Sequence, residues 1–184
     1  LDENDKVVGT LSRYHLIKPR RKRVVLVDHN EAAQSVPGLE QAEIVEIIDH
    51  HRIADVSTAN PILFLNLPIG STATIVTLQF RQTGIELPDS IARVLLSAIL
   101  TDTVIMKSPT CTQVDVDQVN FLADKLGIDA VEYGMDIFRT RGGEDKMPIA
   151  KLVEADSKEF KVNDDVTVLI AQRETVDLPT VMAR

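Results

Sequence analysis

The sequence predicts an α/β fold: a parallel sheet with helices on both faces, followed by the beginning of a second α/β domain. Three observations point there. Apolar runs of strand length, Val24-Val25-Leu26-Val27 and Ile44-Val45-Glu46-Ile47-Ile48, precede segments of helical period. Both runs end in carboxylates and imidazoles, as strands do where they open onto a cleft in an α/β sheet. After Gly142-Gly143 the texture changes to a short helix and an antiparallel strand pair, too little to enclose a core.

The elements follow in order. Residues 1–17 read as a short hairpin, turn-like at 2–5 and strand-like at Val7-Val8-Gly9-Thr10-Leu11, running into a helix that Ser12 caps. Residues 18–23 form a basic linker, a solvated connection. From 24 to about 142, strand and helix alternate, with strands at 24–28, 44–48 and 62–66. Helical period appears at Ala73, Val76 and Phe80, then at Ile91, Val94, Leu95, Ala98 and Ile99, where Pro88 suits the first turn. The apolar stripe over 91–100 is core. Further helices span 112–126, closed by Gly127, and 130–141, closed by Gly142-Gly143. A short helix at 151–154 leads to strands 158–162 and 166–171, paired across Asn163-Asp164-Asp165.

Composition narrows the function. The 184 residues are 44% hydrophobic and 26% charged, ordinary for a globular chain. A net charge of −8 argues against non-specific nucleic-acid binding as the main activity. The single cysteine, Cys111, permits no intrachain disulfide, so a reducing compartment, the cytoplasm, is expected. No apolar stretch approaches the ~20 residues of a membrane span, and no membrane partner is expected. The chain opens Leu1-Asp2-Glu3-Asn4 without a methionine, which suggests a piece of a longer polypeptide.

Asp28, His50 and Asp102 are the candidate metal ligands. Asp28 follows one strand, Asp49-His50-His51 another, and Asp102 the helix over 91–100. A buried carboxylate at such a place is costly unless paired or metal-bound. Carboxylate with imidazole suits Mn²⁺, Co²⁺, Zn²⁺ or Fe²⁺. Carboxylates able to bridge would offset repulsion between two metals about 4 Å apart. The competing reading is that strand-end aspartates cap the next helix; the His50-His51 doublet, in a chain with four histidines, weighs against it. Gly70-Ser71-Thr72 either binds phosphate at a helix N-terminus or supplies an N-cap. Lys107 is a loop lysine within possible reach of substrate. Cys111 reads as a small loop residue, and His15 and His29 as structural or as supports behind the ligands.

These motifs carry a resemblance. Val25-Leu26-Val27-Asp28-His29-Asn30-Glu31, Ile48-Asp49-His50-His51, Gly70-Ser71-Thr72-Ala73-Thr74-Ile75, Leu100-Thr101-Asp102-Thr103 and Lys107-Ser108-Pro109-Thr110 closely resemble the manganese-dependent (family II) inorganic pyrophosphatases of the DHH phosphoesterase superfamily. The resemblance implies metal-dependent hydrolysis of pyrophosphate to two phosphates. It implies two Mn²⁺ or Co²⁺ ions per complete site, with Mg²⁺ accompanying the substrate. Asp28 and Asp102 match bridging ligands, His50 a ligand to one metal, and His51 the general acid. Asp49 is then read as a group orienting an imidazole, with His29 a further support; Lys158 matches a phosphate-binding lysine of the second domain, and Lys107 is the other candidate for substrate binding. Segment 1–17 resembles the end of a CBS module, which implies adenine-nucleotide regulation.

The implied organisation is a CBS-like tail at 1–17, the linker at 18–23, a DHH domain over 24–143 and the start of a DHHA2-type substrate domain over 144–184. Gly142-Gly143 is then a hinge, and a homodimer is implied. The family's first motif, a His and two Asp, and its late Arg-Lys clamp are not in this sequence, so weak metal binding and little turnover are expected of it. The alternatives are another DHH phosphoesterase, acting on polyphosphate, oligonucleotide or cyclic dinucleotide, and a nucleotide-binding regulatory module with an inactive phosphatase remnant.

Overall fold

The computed structural model describes residues 1–17, 20–140, 148, 149, 151, 157–163 and 166–171. It divides into two compact units, Leu1–Leu67 and Pro68–Arg184. Among the described residues no helix is long and apolar enough to cross a membrane.

The first unit is built on three parallel strands, β1 (Arg23–Val27), β2 (Glu43–Asp49) and β3 (Leu63–Asn66), in the order β1-β2-β3. The bounds match the expected strands within about a residue. β2 is central, and its burial deepens along its length to Ile47, Ile48 and Asp49. One extra residue of β2 is accommodated between Val24 and Val25, whose partners are Ile44 and Glu46.

Two expectations fail here. Val7-Val8-Gly9-Thr10-Leu11 forms no strand; Val7, Val8 and Leu11 are exposed, and β propensity without a pairing edge is not enough. A short helix, α1 (Arg13–Ile17), does follow Ser12, whose hydroxyl bonds His15 Nδ1 at 3.0 Å. The alternation of strand with helix is also absent in this unit. The connection from β1 to β2 carries only single-turn 3-10 helices at Ala32–Gln34 and Leu39–Gln41, and none lies between β2 and β3. Pro37-Gly38 and Asn60-Pro61 interrupt these connections, leaving each too short for a helix of ordinary length.

Among the described residues the second unit contains four longer helices: α2 (Thr72–Thr83), α3 (Asp89–Asp102), α4 (Gln113–Leu126) and α5 (Ala130–Thr140). α3 packs against the other three. Its Ala92, Leu95, Leu96, Ile99 and Leu100 meet Val119, Leu122 and Ala123 of α4 in a continuous core. The predicted stripe is therefore core along that face, whereas Ile91 and Val94 are exposed. Gly84 and Gly127 close α2 and α4 in left-handed conformation. Pro88 sits just before α3 at the N-cap rather than within the first turn.

Asp115 ties this unit together. It is fully buried on α4, and Thr112 and Asp115 cap each other in a reciprocal box. Its carboxylate accepts from Gly70 N at 2.8 Å, Thr74 Oγ1 at 2.6 Å, and Thr112 N and Oγ1 at 2.8 and 2.7 Å. Burial pushes its pKa up, but these donors, led by the Thr74 and Thr112 hydroxyls, outweigh burial and hold it below the ordinary carboxylate value.

The turn after α3 is left-handed through three residues, Val104, Ile105 and Met106, with φ of 49, 54 and 61°. Each such residue costs about 1–2 kcal/mol. Opposing this, Thr103 Oγ1 donates to Ile99 O at 2.6 Å and accepts from Met106 N at 3.1 Å, and Ile105 is buried beside Gly134 of α5.

A hairpin of β4 (Ser157–Lys161) and β5 (Thr167–Ala171) pairs Ser157 with Ala171 and Lys161 with Thr167, as expected. Its Phe160, Val168, Leu169 and Ile170 are all exposed. The Gly142-Gly143 hinge and most of the 151–154 helix lie outside the described residues.

Two outcomes follow from this packing. A Cβ at Gly134 would lie 3.0 Å from Cγ1 of the buried Ile105, whose packing leaves it little room to give; the clash outweighs the ~1 kcal/mol alanine gains in a helix interior, so Gly134→Ala is expected to lower Tm slightly. Because the folded pKa of Asp115 is depressed, its stabilisation is present above the unfolded value and lost as pH falls through the folded one. Asp115→Asn should therefore destabilise by about 2–4 kcal/mol at pH 7, with the difference from wild type shrinking in acid, as read by urea unfolding across pH.

Candidate metal centre

The ends of β1 and β2 bring Asp28, His50 and His51 together. One potential ligand atom from each lies within 4.8 Å of the others. Asp28 ends the β1 ladder with its N–H donating to Ile48 O at 2.9 Å, then turns left-handed at φ 66°, a conformation aspartate tolerates better than most residues. Its side chain is 54% exposed, so the sequence-based picture of a buried carboxylate here is corrected: burial falls on Asp49 instead.

His50 Nε2 stands 3.5 Å from Asp28 Oδ1. That is long for a hydrogen bond. It is the separation of two ligands held about 2.1 Å from one ion at a tetrahedral angle, roughly 3.4 Å. A carboxylate with an imidazole suits Mn²⁺, Co²⁺, Zn²⁺ or Fe²⁺, so Asp28 and His50 fit such an ion.

Asp49 is the support. It is fully buried at the end of β2, paired with Asn66 of β3. Its Oδ1 accepts from His50 N at 2.7 Å, His51 N at 3.1 Å and His51 Nδ1 at 2.8 Å. Its Oδ2 accepts from Asn30 Nδ2. Burial raises its pKa, but the bonds from Asn30, from the His51 side chain and from both backbone N–H groups prevail and hold it low. An ionised carboxylate only accepts, so His51 Nδ1 carries a proton and donates it. That leaves Nε2 for ligation or proton transfer. The two imidazole rings lie edge to face, 4.2 Å between centroids.

The loops around this centre are pinned by amides. Asn30, buried after β1, also donates to Arg52 O at 3.0 Å and accepts from Ala54 N. Asn66 Nδ2 donates to His51 O at 2.8 Å. Asn30 is the residue that sequence reasoning missed; an asparagine after a strand signals a turn, and nothing local marks its partner nineteen residues away. His29 bonds Val27 O at 3.0 Å and Ser35 Oγ at 2.8 Å, bracing the loop behind Asp28.

The remaining candidates lie in the second unit. Asp102 is the last residue of α3, exposed rather than buried, and accepts from Ser71 Oγ at 2.6 Å. Ser71 is the N-cap of α2, its oxygen accepting from Ala73 N at 3.2 Å. Lys107 is exposed in the turn that follows α3, and Lys158 is exposed on β4. Cys111 is partly buried; burial, then the Asp115 charge, pushes its thiol up, consistent with an inert loop residue.

For Asn30→Ala, a loss of about 2–4 kcal/mol is expected, since a buried carboxylate oxygen and a half-buried N–H lose their partners. A lower urea midpoint measures it. The ¹⁵N spectrum of His51 should report protonation at Nδ1 near neutral pH, and Asp49→Asn should relax that preference.

Comparison with known proteins agrees with this geometry. Residues 5–99 match the DHH family, N-terminal domain. The chain is similar to a cobalt-dependent inorganic pyrophosphatase of Clostridium perfringens, 46% identical over 178 residues, covering 97% of this chain and 32% of that protein. It is similar to a manganese-dependent inorganic pyrophosphatase of Bacillus subtilis, 40% identical over 161 residues, covering 88% of this chain and 52% of that protein. A solved structure assigned to the family II inorganic pyrophosphatases, from Methanococcus jannaschii, superposes with a TM-score of 0.71 at 36% identity, over 88% of this chain and 56% of that one. The chain thus spans between a third and about half of the relatives it matches. With the family's domain matched across more than half its residues and the Asp49-His50-His51 triplet at a strand end, the chain belongs to the DHH family.

Proposed function

We propose that this chain carries part of the catalytic site of a metal-dependent inorganic pyrophosphatase, which hydrolyses pyrophosphate to two phosphates. The observation that carries the reading is the convergence of Asp28, His50 and His51, with Asp49 buried behind them. The similarity to manganese- and cobalt-dependent pyrophosphatases supports Mn²⁺ or Co²⁺, two ions in the complete site, and Mg²⁺ arriving with the substrate.

In this reading Asp28, His50 and Asp102 hold the ions. Bound ions supply Lewis acidity and positive charge beside the phosphates. His51 keeps its Nδ1 proton on Asp49 and delivers a second proton from Nε2. Water adds its oxygen to one phosphorus and releases one of its protons, the bridging P–O bond breaks, and the bridging oxygen takes a proton from His51, which the released proton replaces. Lys158 and Lys107 bind phosphate oxygens, whose charge must be neutralised for in-line attack.

The organisation proposed with this function is a CBS-like tail at 1–17, the linker at 18–23, the DHH domain over 24–143 and a DHHA2-type substrate domain from 144. The C. perfringens match extends over 97% of the chain, against 88% for B. subtilis, and that relative is the longer protein, consistent with an added module. Adenine-nucleotide binding through such a module, a homodimer and a cytoplasmic location belong to the same proposal.

Calorimetric titration with Mn²⁺ tests the ligands without requiring turnover. Asp28→Asn and His50→Ala are each expected to weaken binding at least tenfold. His51→Gln should retain Mn²⁺ affinity and lower the rate of phosphate release about 10²–10⁴-fold. Faster cleavage of a dinucleotide than of pyrophosphate would overturn the substrate assignment.

A further inference from the structure

The Ser71–Asp102 contact places a device behind the second proposed ligand carboxylate. Ser71 is fully buried, and its hydroxyl has one proton to give. It gives that proton to Asp102 Oδ2 at 2.6 Å, while its lone pairs accept from Ala73 N. The short distance is that of a charge-assisted bond.

Ser71 is itself held. The residue before it, Gly70, donates its N–H to the buried Asp115, and Thr74, one turn into α2, donates its hydroxyl to the same carboxylate. A Cβ on Gly70 would lie 2.8 Å from Thr103 Cγ2 and 3.0 Å from Asp115 Oδ2, so this approach admits only glycine. The start of α2 is thereby clamped between Asp115 on one side and the end of α3 on the other. A capping serine needs none of this; its cap bond to Ala73 N would form with any orientation of Asp102.

We infer that Ser71 is a positioning residue for Asp102: its hydroxyl fixes the carboxylate's rotation, and Asp115 fixes Ser71 through Gly70 and Thr74. The inference rests on the reading of Asp102 as a metal ligand. Residues that hold a ligand by hydrogen bonds typically change metal affinity by about 10–100-fold when removed.

The test is a mutant cycle on Mn²⁺ affinity, by calorimetry and by the electron paramagnetic resonance signal of free Mn²⁺. Ser71→Ala is expected to weaken Mn²⁺ binding about 10-fold or more. Thr77→Ala, which removes another buried hydroxyl of α2 bonded within its own helix, controls for lost stability and should leave affinity unchanged. Asp102→Asn should weaken binding, and adding Ser71→Ala to it should weaken binding little further. If Asp102→Asn weakens binding but Ser71→Ala does not, the positioning role is overturned while the ligand reading stands. If Asp102→Asn has no effect, both are overturned. Equal losses from Ser71→Ala and Thr77→Ala would reduce Ser71 to a helix cap and also overturn the inference.

Discussion

A carboxylate can leave water only where donors replace it, and both units of this chain are organised around that constraint. Asp49 and Asp115 are each fully buried. Each is surrounded by backbone N–H groups and side-chain donors: Asn30, His51 and two backbone amides for Asp49, Thr74, Thr112 and two backbone amides for Asp115. Every one of those donors belongs to a loop or a helix start, so satisfying the anion fixes irregular backbone that packing alone would leave loose. Burial works against ionisation at both residues, and the donors prevail.

The division of labour in Asp49-His50-His51 follows from where each residue stands on the strand end. Asp49, the last ladder residue, points into the unit and is buried; His50 emerges beside Asp28; His51 folds back so that its Nδ1 meets the Asp49 carboxylate. A metal ligand must be reachable and a support must not be. The contrast between Asp28, half exposed, and Asp49, fully buried, supports the proposed assignment of the first as ligand and the second as its support.

Much of this was legible in the sequence, and what was not has a common cause. The three strands, the four longer helices, the terminating Gly127 and the hairpin are local patterns, set by periodicity and by residues with particular backbone freedom. The polar motifs at the strand ends were legible as well, because Asp and His cluster where apolar runs stop. The alternation expected between strands failed, since crossovers interrupted by proline and glycine take irregular paths that periodicity cannot foresee. Asn30 and Asp115 were silent because their importance lies in partners 19 to 45 residues away, and a buried asparagine looks in sequence like a turn residue. Asp102 was legible as a helix-end carboxylate, but its serine partner, 31 residues earlier, was not.

Left-handed backbone accompanies both carboxylates proposed as bridging ligands. Asp28 adopts it itself, and the turn two residues after Asp102 adopts it three times in succession, twice at β-branched residues. Such conformations persist only where surrounding contacts outweigh their cost, and they concentrate at sites whose geometry matters. Their effect here is directional. The left-handed turn, held by Thr103 and by Ile105 against Gly134, ends α3 at Asp102. Likewise the left-handed residue at Asp28 stops the β1 ladder at the strand end where His50 emerges. Both left-handed stretches thus stand where an exposed carboxylate leaves its element, and beside Asp28 the buried Asp49 holds the following loop through Asn30.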